Sequence, residues 1–376
     1  MPRELDEDDV RVRAGRGSRP RTRERPDHAD AVAATVVAVD RGRYTCHVVG
    51  KVAAKAGWNA GAGTDTHAGT GAEPGAGSGA AGRPPRPPAS TGVPSASTGA
   101  LVAAVRGGSL RRTSVVVGDE VALVGDVSGT PGSLARIVGR AERHSVLRRT
   151  ADDTDPVERP IVANADRLVI VCALADPPPR TGLIDRCLVA AYDGGLEPLL
   201  CLSKADLADD APLRALYAPL GLPVVTTRPD ADLSGLTALM AAHVCVMFGH
   251  SGVGKSTLVN RLVPDAAQAI GAVNAVTGRG RHTSSAAIAL PMPGGGWVVD
   301  TPGVRSFGLG AVSTDRLLRA FPDLAPAAAA CPGGCTHLAG LADCALDQTV
   351  EDGRADPARL ASLRRLLAAR SGADPS

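Results

Sequence analysis

Short apolar runs rich in Val, Thr and Ile are spread over the first 140 residues and predict a small β-barrel. Such residues suit a half-buried pleated surface, and Gly118-Asp119 reads as a turn between strands. About five short strands is the size of a small barrel. The runs are Ala33–Val39, Tyr44–Val49, Leu101–Val105, Val115–Leu123 and Leu134–Val138.

A long insertion interrupts this barrel pattern. Residues 53–100 consist mainly of Gly, Ala, Ser, Thr and Pro and contain almost no large apolar side chains. Such a segment buries too little apolar surface to offset the entropy lost on ordering. We therefore expect residues 53–100 to form a disordered loop insertion.

Three apolar runs in the second half of the chain predict strands of an α/β sheet. They are Leu199–Leu202, Val244–Phe248 and Trp297–Val299, and each leads directly into a polar or glycine-rich segment. Ligands of open α/β sheets bind at the carboxyl ends of the strands. The segments that follow the three runs are therefore candidate ligand-binding loops.

The segment after the second run is a candidate phosphate-binding loop. It fits G-x-x-x-x-G-K-[S/T], and the residues that follow it read as the helix that this motif requires. Backbone N–H groups at the helix start would hold phosphate oxygens, Lys255 would reach the outer phosphates, and Ser256 would bind Mg²⁺. A glycine-rich turn without function is the weaker alternative. The nucleotide-binding positions are Gly249, His250, Ser251, Gly252, Val253, Gly254, Lys255, Ser256 and Thr257.

The segment after the first run, Ser203-Lys204-Ala205-Asp206, is a candidate base-reading loop. Asp206 would accept hydrogen bonds from N1–H and the exocyclic amine of guanine, a donor pair that adenine lacks. Lys204 would lie along the base. Taken alone, the tetrapeptide would more often be a solvated loop, and its position after an apolar run favours the functional interpretation.

The segment after the third run, Asp300-Thr301-Pro302-Gly303, fits the D-x-x-G element of GTPases. Asp300 would hold Mg²⁺, directly or through water, and the Gly303 N–H would contact the γ-phosphate. Upstream, Thr283 is the candidate that offers a second hydroxyl to Mg²⁺, with Ser284 as the alternative. Viewed alone, the segment around Thr283 reads as an ordinary linker.

The order of these loops is unusual, because the base reader precedes the phosphate loop. GTPases usually begin with the phosphate loop, so this order is a circular permutation. Permutation is physically inexpensive when the two ends of a domain lie close together. The D-x-x-G element then lies near the C-terminal end of the nucleotide domain.

A cluster of three cysteines and one histidine follows the nucleotide domain. Cys331, Cys335, His337 and Cys344 form a Cys₃His set, which is typical of closed tetrahedral zinc sites. We expect one structural Zn²⁺ rather than free thiols or a catalytic metal. The other five cysteines lie in apolar patterns and read as small core residues, and their spacing does not suggest disulfides.

These motifs in this order resemble the ribosome small-subunit-dependent GTPase A (RsgA) family. The resemblance covers residues 30–50 and 99–370. Beyond the phosphate loop and the Cys/His cluster, it rests on four stretches: Asn164–Val171, Pro178–Arg186, Gly280–Thr283 and Asp300–Gly308. Ser203 stands where the family usually has Asn or Thr. The loop that backs the base in the family has no clear counterpart after Asp206, and Thr226-Thr227 is our candidate for it.

The resemblance implies a multidomain fold and an enzymatic activity. The fold would combine an N-terminal OB-fold barrel, a central circularly permuted α/β P-loop GTPase domain and a C-terminal α-helical zinc-binding domain. The protein would hydrolyse GTP to GDP and phosphate with Mg²⁺, bind the maturing small ribosomal subunit and its ribosomal RNA, and leave the subunit after hydrolysis.

The resemblance also suggests which residues act in hydrolysis. Val304 follows the D-x-x-G element, so the water-orienting glutamine of Ras-like GTPases is absent from that position. We expect slow turnover alone and stimulation by the small subunit. His282, beside the switch hydroxyl of Thr283, would place the water, and Lys255 would stabilise charge on the transferred group. A purely structural or RNA-contacting histidine is an equal alternative for His282.

Composition and charge support several modules. We predict an acidic and basic arm over 1–29, the barrel over 30–150, the nucleotide domain over 151–312 and the zinc domain over 313–376. The net charge is only +2, yet the arm contains a run of arginines suited to RNA phosphates. A solvated tail is the alternative. The run consists of Arg11, Arg13, Arg16, Arg19, Arg21, Arg23 and Arg25.

The last predicted element is an amphipathic helix that starts at Asp356-Pro357. Its leucines at 360, 363, 366 and 367 form one stripe, which would pack against the zinc module. Its arginines would be available for phosphates. They are Arg359, Arg364, Arg365 and Arg370.

The sequence shows neither a membrane-spanning run nor a targeting peptide, so we expect a cytoplasmic protein. We also expect a monomer. Two other hypotheses stay open. One is a zinc-containing RNA-binding assembly protein with a vestigial nucleotide site. The other is a P-loop enzyme that uses ATP, against which Asp206 argues.

Overall fold

The computed structural model describes residues 30–51, 99–110, 113–150, 158–277, 287–301, 307, 309, 312–341 and 343–370. The predicted arm and residues 53–98 of the predicted insertion lie outside the described residues. No helix in the described part of the chain is long and apolar enough to cross a bilayer.

The N-terminal part is a closed five-stranded barrel, as the sequence predicts. Its strands pair in the order β1-β2-β3-β5-β4, and β4 returns to pair with β1. This Greek-key closure of five strands is the OB-fold arrangement. Alternate residues fill the interior, including Val36, Val102 and Leu123, which are fully buried. The strands are β1 Val32–Asp40, β2 Arg43–Lys51, β3 Leu101–Arg106, β4 Glu120–Gly125 and β5 Ala135–Arg140.

One predicted strand is shorter than its apolar run. The run Val115–Leu123 forms a strand only from Glu120 onward. Val115 still packs in the barrel core, whereas Val117 bridges to Val162 of a separate hairpin and is buried in the contact between modules. The hairpin consists of β6 Val146–Thr150 and β7 Glu158–Ala163.

Asn164 ties the barrel to the sheet that follows. Its side-chain amide donates to the Gly118 carbonyl at 2.9 Å, and its Oδ1 accepts from the His144 N–H at 3.1 Å. A Cβ at position 118 would lie 1.9 Å from the Ala163 carbonyl oxygen, so only glycine fits there. Asn164, which belongs to one of the family-like stretches of the sequence, therefore links the barrel to the sheet by hydrogen bonds.

A buried ring contact strengthens the same junction. His47 of β2 lies edge-on to Trp297 with ring centroids 5.3 Å apart. Burial lowers the pKa of His47, so the imidazole is neutral at this junction at physiological pH. The barrel and the central sheet thus meet at this contact through an apolar ring and a neutral one.

The central sheet has six strands in the order β10-β9-β8-β11-β13-β12. The first five are parallel and β12 is antiparallel at the end near the barrel. The inner strands β8, β9, β11 and β13 are buried on both faces, which explains the continuous apolar runs of the sequence, whereas the edge strand β10 is only partly buried. The strands are β8 Arg167–Ala173, β9 Glu197–Ser203, β10 Val224–Thr226, β11 Val244–Gly249, β12 Ile288–Pro291 and β13 Trp297–Asp300.

Helices cover both faces of this sheet. Leu168 and Ile170 of β8 face the core that contains α1, whereas Val169 and Val171 face the core that contains α3 and α4. The result is a three-layer α/β unit. Its helices are α1 Thr181–Gly194, α2 Ala211–Tyr217, α3 Ser234–Met240, α4 Lys255–Leu262 and α5 Ala266–Thr277.

The C-terminal part is helical and packs on the α1 side of the sheet. The predicted leucine stripe is buried, but it contacts α1 of the sheet layer as well as its own module. Asp356 begins the last helix by accepting the Ala358 N–H at 2.8 Å, as an N-cap does. The helices are α6 Thr314–Leu318, α7 Ala325–Ala328, α8 Ala345–Glu351 and α9 Pro357–Arg370.

The expectation that the α9 arginines are available for phosphates is wrong. Arg359 binds Asp323 at 2.6 Å, Arg364 binds Asp347 at 2.7 Å and Arg365 binds Asp185 at 2.8 Å. Arg370 donates to the Val312 carbonyl and the Thr314 hydroxyl. Periodicity places a residue on a helix face, but it does not reveal an acidic partner from a distant segment.

Candidate functional site

The three predicted loops meet at one edge of the sheet. Ala173 of β8 is in register with Ser203 of β9, Val171 with Gly249, and Met247 with Asp300. The base-reading, phosphate-binding and D-x-x-G segments therefore leave the carboxyl ends of parallel strands at one edge of the sheet, with β8 between the first two. This is the edge at which open α/β sheets bind ligands.

The phosphate loop requires glycine at defined points. A Cβ on Gly249 would lie 2.7 Å from the Val171 carbonyl oxygen and 2.9 Å from a Val253 methyl group. Gly254 has φ of +88° directly before α4, a conformation that side chains disfavour. The chain therefore turns tightly into α4, and the free N–H groups at the helix start face the site.

Lys255 and Asp300 lie side by side under the phosphate loop. Their side chains form an ion pair, in which 15% of the Lys255 side chain and 24% of the Asp300 side chain are exposed. The Thr301 hydroxyl donates to the Met247 carbonyl at 3.1 Å and holds the start of the D-x-x-G segment against β11. A cation suited to phosphate and a carboxylate suited to Mg²⁺ are thus adjacent. Ser256 lies in the same first turn of α4.

The base-reading loop is joined to the phosphate loop by Ser203. Its buried hydroxyl donates to the Val253 carbonyl at 2.6 Å. The serine that departs from the family pattern therefore still supplies a donor between the two loops. A hydroxyl with one hydrogen makes one strong donation, so the longer contact to the Cys172 carbonyl at 3.3 Å is secondary.

Backbone contacts shape the rest of the base-reading loop. Lys204 has φ of +58°, and its ammonium donates to the carbonyl of Asp176 in the neighbouring loop. The Ala205 N–H donates to the Thr227 carbonyl at 3.1 Å. Asp206 is exposed at the rim, where a base could reach it. Thr227 thus supports this loop, while the Thr226 hydroxyl binds Asp210 instead.

Four residues of the predicted site lie outside the described residues: His282, Thr283, Ser284 and Gly303. Their roles stay predictions.

The Cys/His cluster assembles as the spacing predicts. One ligand atom from each of Cys331, Cys335, His337 and Cys344 lies within 4.8 Å of the others. Ligand atoms around tetrahedral zinc are separated by about 3.5–4 Å, so a small contraction would complete the sphere. The donor set and the closeness of the four atoms fit a metal ion.

The surroundings of the cluster also suit a cation. The Ala345 N–H donates to the Cys331 sulfur at 3.3 Å. Burial raises the pKa of the Cys331 thiol, so a thiolate there needs a positive partner. The other cysteines are buried, in agreement with their interpretation as core residues.

Sequence reasoning missed two contacts of these sites. The Asp176 carbonyl that holds Lys204 carries no sequence signal, because any residue offers a backbone carbonyl. Arg364 lies against the metal cluster through the His337 carbonyl at 3.2 Å, although its helical position suggested a surface residue.

The fold and the site define a P-loop nucleotide-binding protein with the loop order of a circularly permuted GTPase. The family model described as RsgA GTPase matches residues 140–310. A relative from Pseudomonas aeruginosa (strain LESB58), named small ribosomal subunit biogenesis GTPase RsgA, is 40% identical over 264 residues, which are 68% of this chain and 76% of the relative. A protein of the same name from Ectopseudomonas mendocina (strain ymp) is 42% identical over 241 residues, 62% of this chain and 69% of that protein. The chain belongs to the RsgA GTPase family.

Solved structures agree on the fold. YjeQ from Thermotoga maritima aligns with a TM-score of 0.57 at 22% identity, covering 91% of this chain and 99% of that one. YloQ, described as a circularly permuted GTPase, aligns with a TM-score of 0.55 at 22% identity and covers 94% and 100%. At this identity the likeness establishes the architecture alone.

Ser203→Ala is expected to weaken guanine nucleotide binding by about 5–30-fold. The change leaves the Val253 carbonyl without its donor, and an unsatisfied buried acceptor costs about 1–2 kcal/mol. Titration with a fluorescent GDP analogue measures the effect. Ser203→Thr keeps the hydroxyl and is the matched control. Equal affinity of the alanine and threonine variants would show that the link between the loops is dispensable.

Proposed function

We propose that this chain is a GTPase that binds the maturing small ribosomal subunit and leaves it after hydrolysis. Two curated relatives at about 40% identity carry the name small ribosomal subunit biogenesis GTPase. The observation that carries the proposal is the direct bond between the base-reading loop and the phosphate loop, Ser203 to Val253 at 2.6 Å. A shared site for base and phosphate is what a GTPase needs.

Each residue of the site has a proposed task. Asp206 selects guanine through its two hydrogen-bond donors, and Lys204 lies along the base. The loop backbone from Gly249 to Thr257 wraps the phosphates, and Lys255 stabilises charge on the transferred group. Asp300, Ser256 and Thr283 are proposed to hold Mg²⁺, and the Gly303 N–H to contact the γ-phosphate. When bound, Mg²⁺ supplies charge neutralisation at the β- and γ-phosphates.

Without the subunit, this enzyme lacks the usual residue that orients the attacking water. Val304 occupies the position after D-x-x-G where Ras-like GTPases have glutamine. We assign water placement to His282, assisted by the bound subunit. We therefore expect the His282→Ala variant to bind GTP but to show little stimulation of GTP hydrolysis by the small subunit.

The remaining modules are proposed to contact ribosomal RNA. The arm (1–29), the barrel (30–150) and the zinc domain (313–376) flank the nucleotide domain (151–312). Only 2% of the residues are aromatic, which favours phosphate and shape recognition over base stacking. Zn²⁺ is our assignment for the Cys/His cluster, and a cytoplasmic monomer is the proposed state. No observation favours the vestigial-site alternative.

Steady-state hydrolysis of GTP and ATP, with and without purified small ribosomal subunits, tests the proposal. We expect slow GTP hydrolysis alone, a large stimulation by subunits, and no comparable stimulation with ATP. Large ribosomal subunits serve as the control particle. Turnover that is indifferent to small subunits would remove the assembly role but keep the GTPase. Equal subunit affinity of the GDP form and of a non-hydrolysable GTP form would contradict release by hydrolysis.

A further inference from the structure

Two neighbouring arginines of α9 reach in different directions. Arg364 turns towards the Cys/His cluster, where its Nε donates to the His337 carbonyl at 3.2 Å and its Nη2 binds Asp347 at 2.7 Å. Arg365 turns towards the nucleotide-binding sheet, where its Nε binds Asp185 of α1 at 2.8 Å. A single turn of α9 therefore touches both modules.

The contacts of Arg364 restrain His337 and the start of α8, two parts of the cluster. His337 has φ of +59°, which is strained for a residue with a side chain and persists only when its surroundings hold it. Asp347 lies in the first turn of α8, whose Ala345 N–H donates to Cys331. Arg364 thus restrains the ligand His337 directly. Through Asp347 it also holds α8, whose N–H group contacts the ligand Cys331.

Charge gives a second reason for an arginine beside the cluster. Three thiolates, a neutral imidazole and a divalent ion carry a net charge of about −1. The Arg364 guanidinium lies beside this cluster through the His337 carbonyl and the Asp347 carboxylate. Outer-shell groups that orient ligands and balance their charge strengthen metal binding.

The contact of Arg365 on the other side is deeply buried. Asp185 is 1% exposed, and the Arg365 guanidinium also lies over the Tyr217 ring, 5.2 Å from its centroid. Separating the pair would leave a buried charge without its partner, which is strongly unfavourable. α1 starts at Thr181, shortly after the Asp176 carbonyl that holds Lys204.

We propose that Arg364 is an outer-shell positioning residue of the Cys/His site, and that with Arg365 it couples metal occupancy to the docking of α9 on α1. The two side chains leave consecutive positions of one helix, so a shift that frees Arg364 also displaces Arg365 from Asp185. The coupling is reciprocal, because metal binding stabilises the docked position of α9 and the docking of α9 on α1 stabilises metal binding.

Zinc release tests the first half of the proposal. The full-length protein is loaded with Zn²⁺ and competed with a chelator, while a colorimetric zinc indicator follows release. Arg364→Met is expected to lower zinc affinity about 10–100-fold, the range for outer-shell changes. Arg370→Met is the matched control, since Arg370 lies on the same helix but contacts Val312 and Thr314. Equal affinities of these two variants would overturn the assignment.

A second variant covers the case in which Arg364→Met does not fold. Asp347→Asn weakens the same contact from a side chain that is 40% exposed, so the fold should tolerate it. We expect a smaller loss of zinc affinity in the same direction. Wild-type affinity in Asp347→Asn would contradict the role given to the Arg364–Asp347 pair.

Amide hydrogen exchange tests the coupling itself. Removing Zn²⁺ from the wild-type chain is expected to speed exchange in α1 and α9, while β11 at the centre of the sheet stays protected. Arg365→Met should show fast exchange in α1 even when loaded with zinc. Faster exchange confined to residues 331–351 would overturn the coupling. Loss of protection in β11 as well would also overturn it, because the metal would then support the whole fold rather than one contact.

Discussion

Replacing Lys255 with methionine is expected to lower GTP hydrolysis by about 10²–10³-fold, the loss seen when one charge-stabilising donor is removed from a transition state. The ammonium lies at the start of α4 beside Asp300, with 15% of the side chain exposed, where we propose that phosphate oxygens bind. Methionine keeps most of the length of the side chain and removes the charge together with the hydrogen-bond donors of the ammonium. Single-turnover hydrolysis at saturating GTP measures the effect on the chemical step.

The control for Lys255 comes from the same helix. Arg261 lies at the far end of α4 and donates to the carbonyls of Arg228 and Ala231. Arg261→Met removes a positive charge of α4 away from the phosphates, so its hydrolysis rate should stay close to wild type. If Lys255→Met also hydrolysed GTP within a few-fold of wild type, the phosphate loop would not be the catalytic site.

Asp206→Asn is expected to change which base the protein binds. Guanine offers two donors to the carboxylate, whereas the asparagine amide faces one of them with a donor of its own. A site built to bind such a donor pair rejects a mismatched partner by about 10⁴–10⁵-fold, and we expect a loss of GTP affinity of roughly 10³-fold or more. Xanthine carries a carbonyl in place of the amine, so the variant should prefer XTP. Competition between GTP, XTP and ATP for a fluorescent nucleotide measures the preference.

A nearby carboxylate provides the matched control for this change. Asp209 is exposed three residues further on and accepts only the Ala211 N–H, at 3.2 Å, among the described residues. Asp209→Asn should keep the preference for GTP. A variant of Asp206 that still prefers GTP over XTP would show that another residue reads the base. A wild-type protein that binds ATP as tightly as GTP would revive the ATP hypothesis.

The sequence predicted the main elements of the fold because their signals are local. Five barrel strands and the strands that carry the three loops follow from apolar runs bounded by turn residues. The phosphate loop and the Cys/His cluster follow from residue types at fixed spacing. The permuted order also follows directly, since it is a property of the sequence.

Burial between modules was harder to predict. The sequence placed Val117 in the barrel because apolar residues look alike whether they line a barrel or a junction, and the structure assigns Val117 to the contact with Val162. The leucine stripe of α9 was recognised correctly, but periodicity could not reveal that α1 is one of its partners.

The sequence alone predicted the chemistry of each loop, because a phosphate loop, a base reader and a metal cluster each need a few residues close together in the chain. Only the tertiary structure decided which charges have partners. Arg364 meets Asp347 across 17 residues and Arg365 meets Asp185 across 180. Contacts over such separations depend on how the chain packs. The arginines that resembled a phosphate-binding surface therefore have acidic or carbonyl partners, and Arg365 reaches α1 of the nucleotide-binding part.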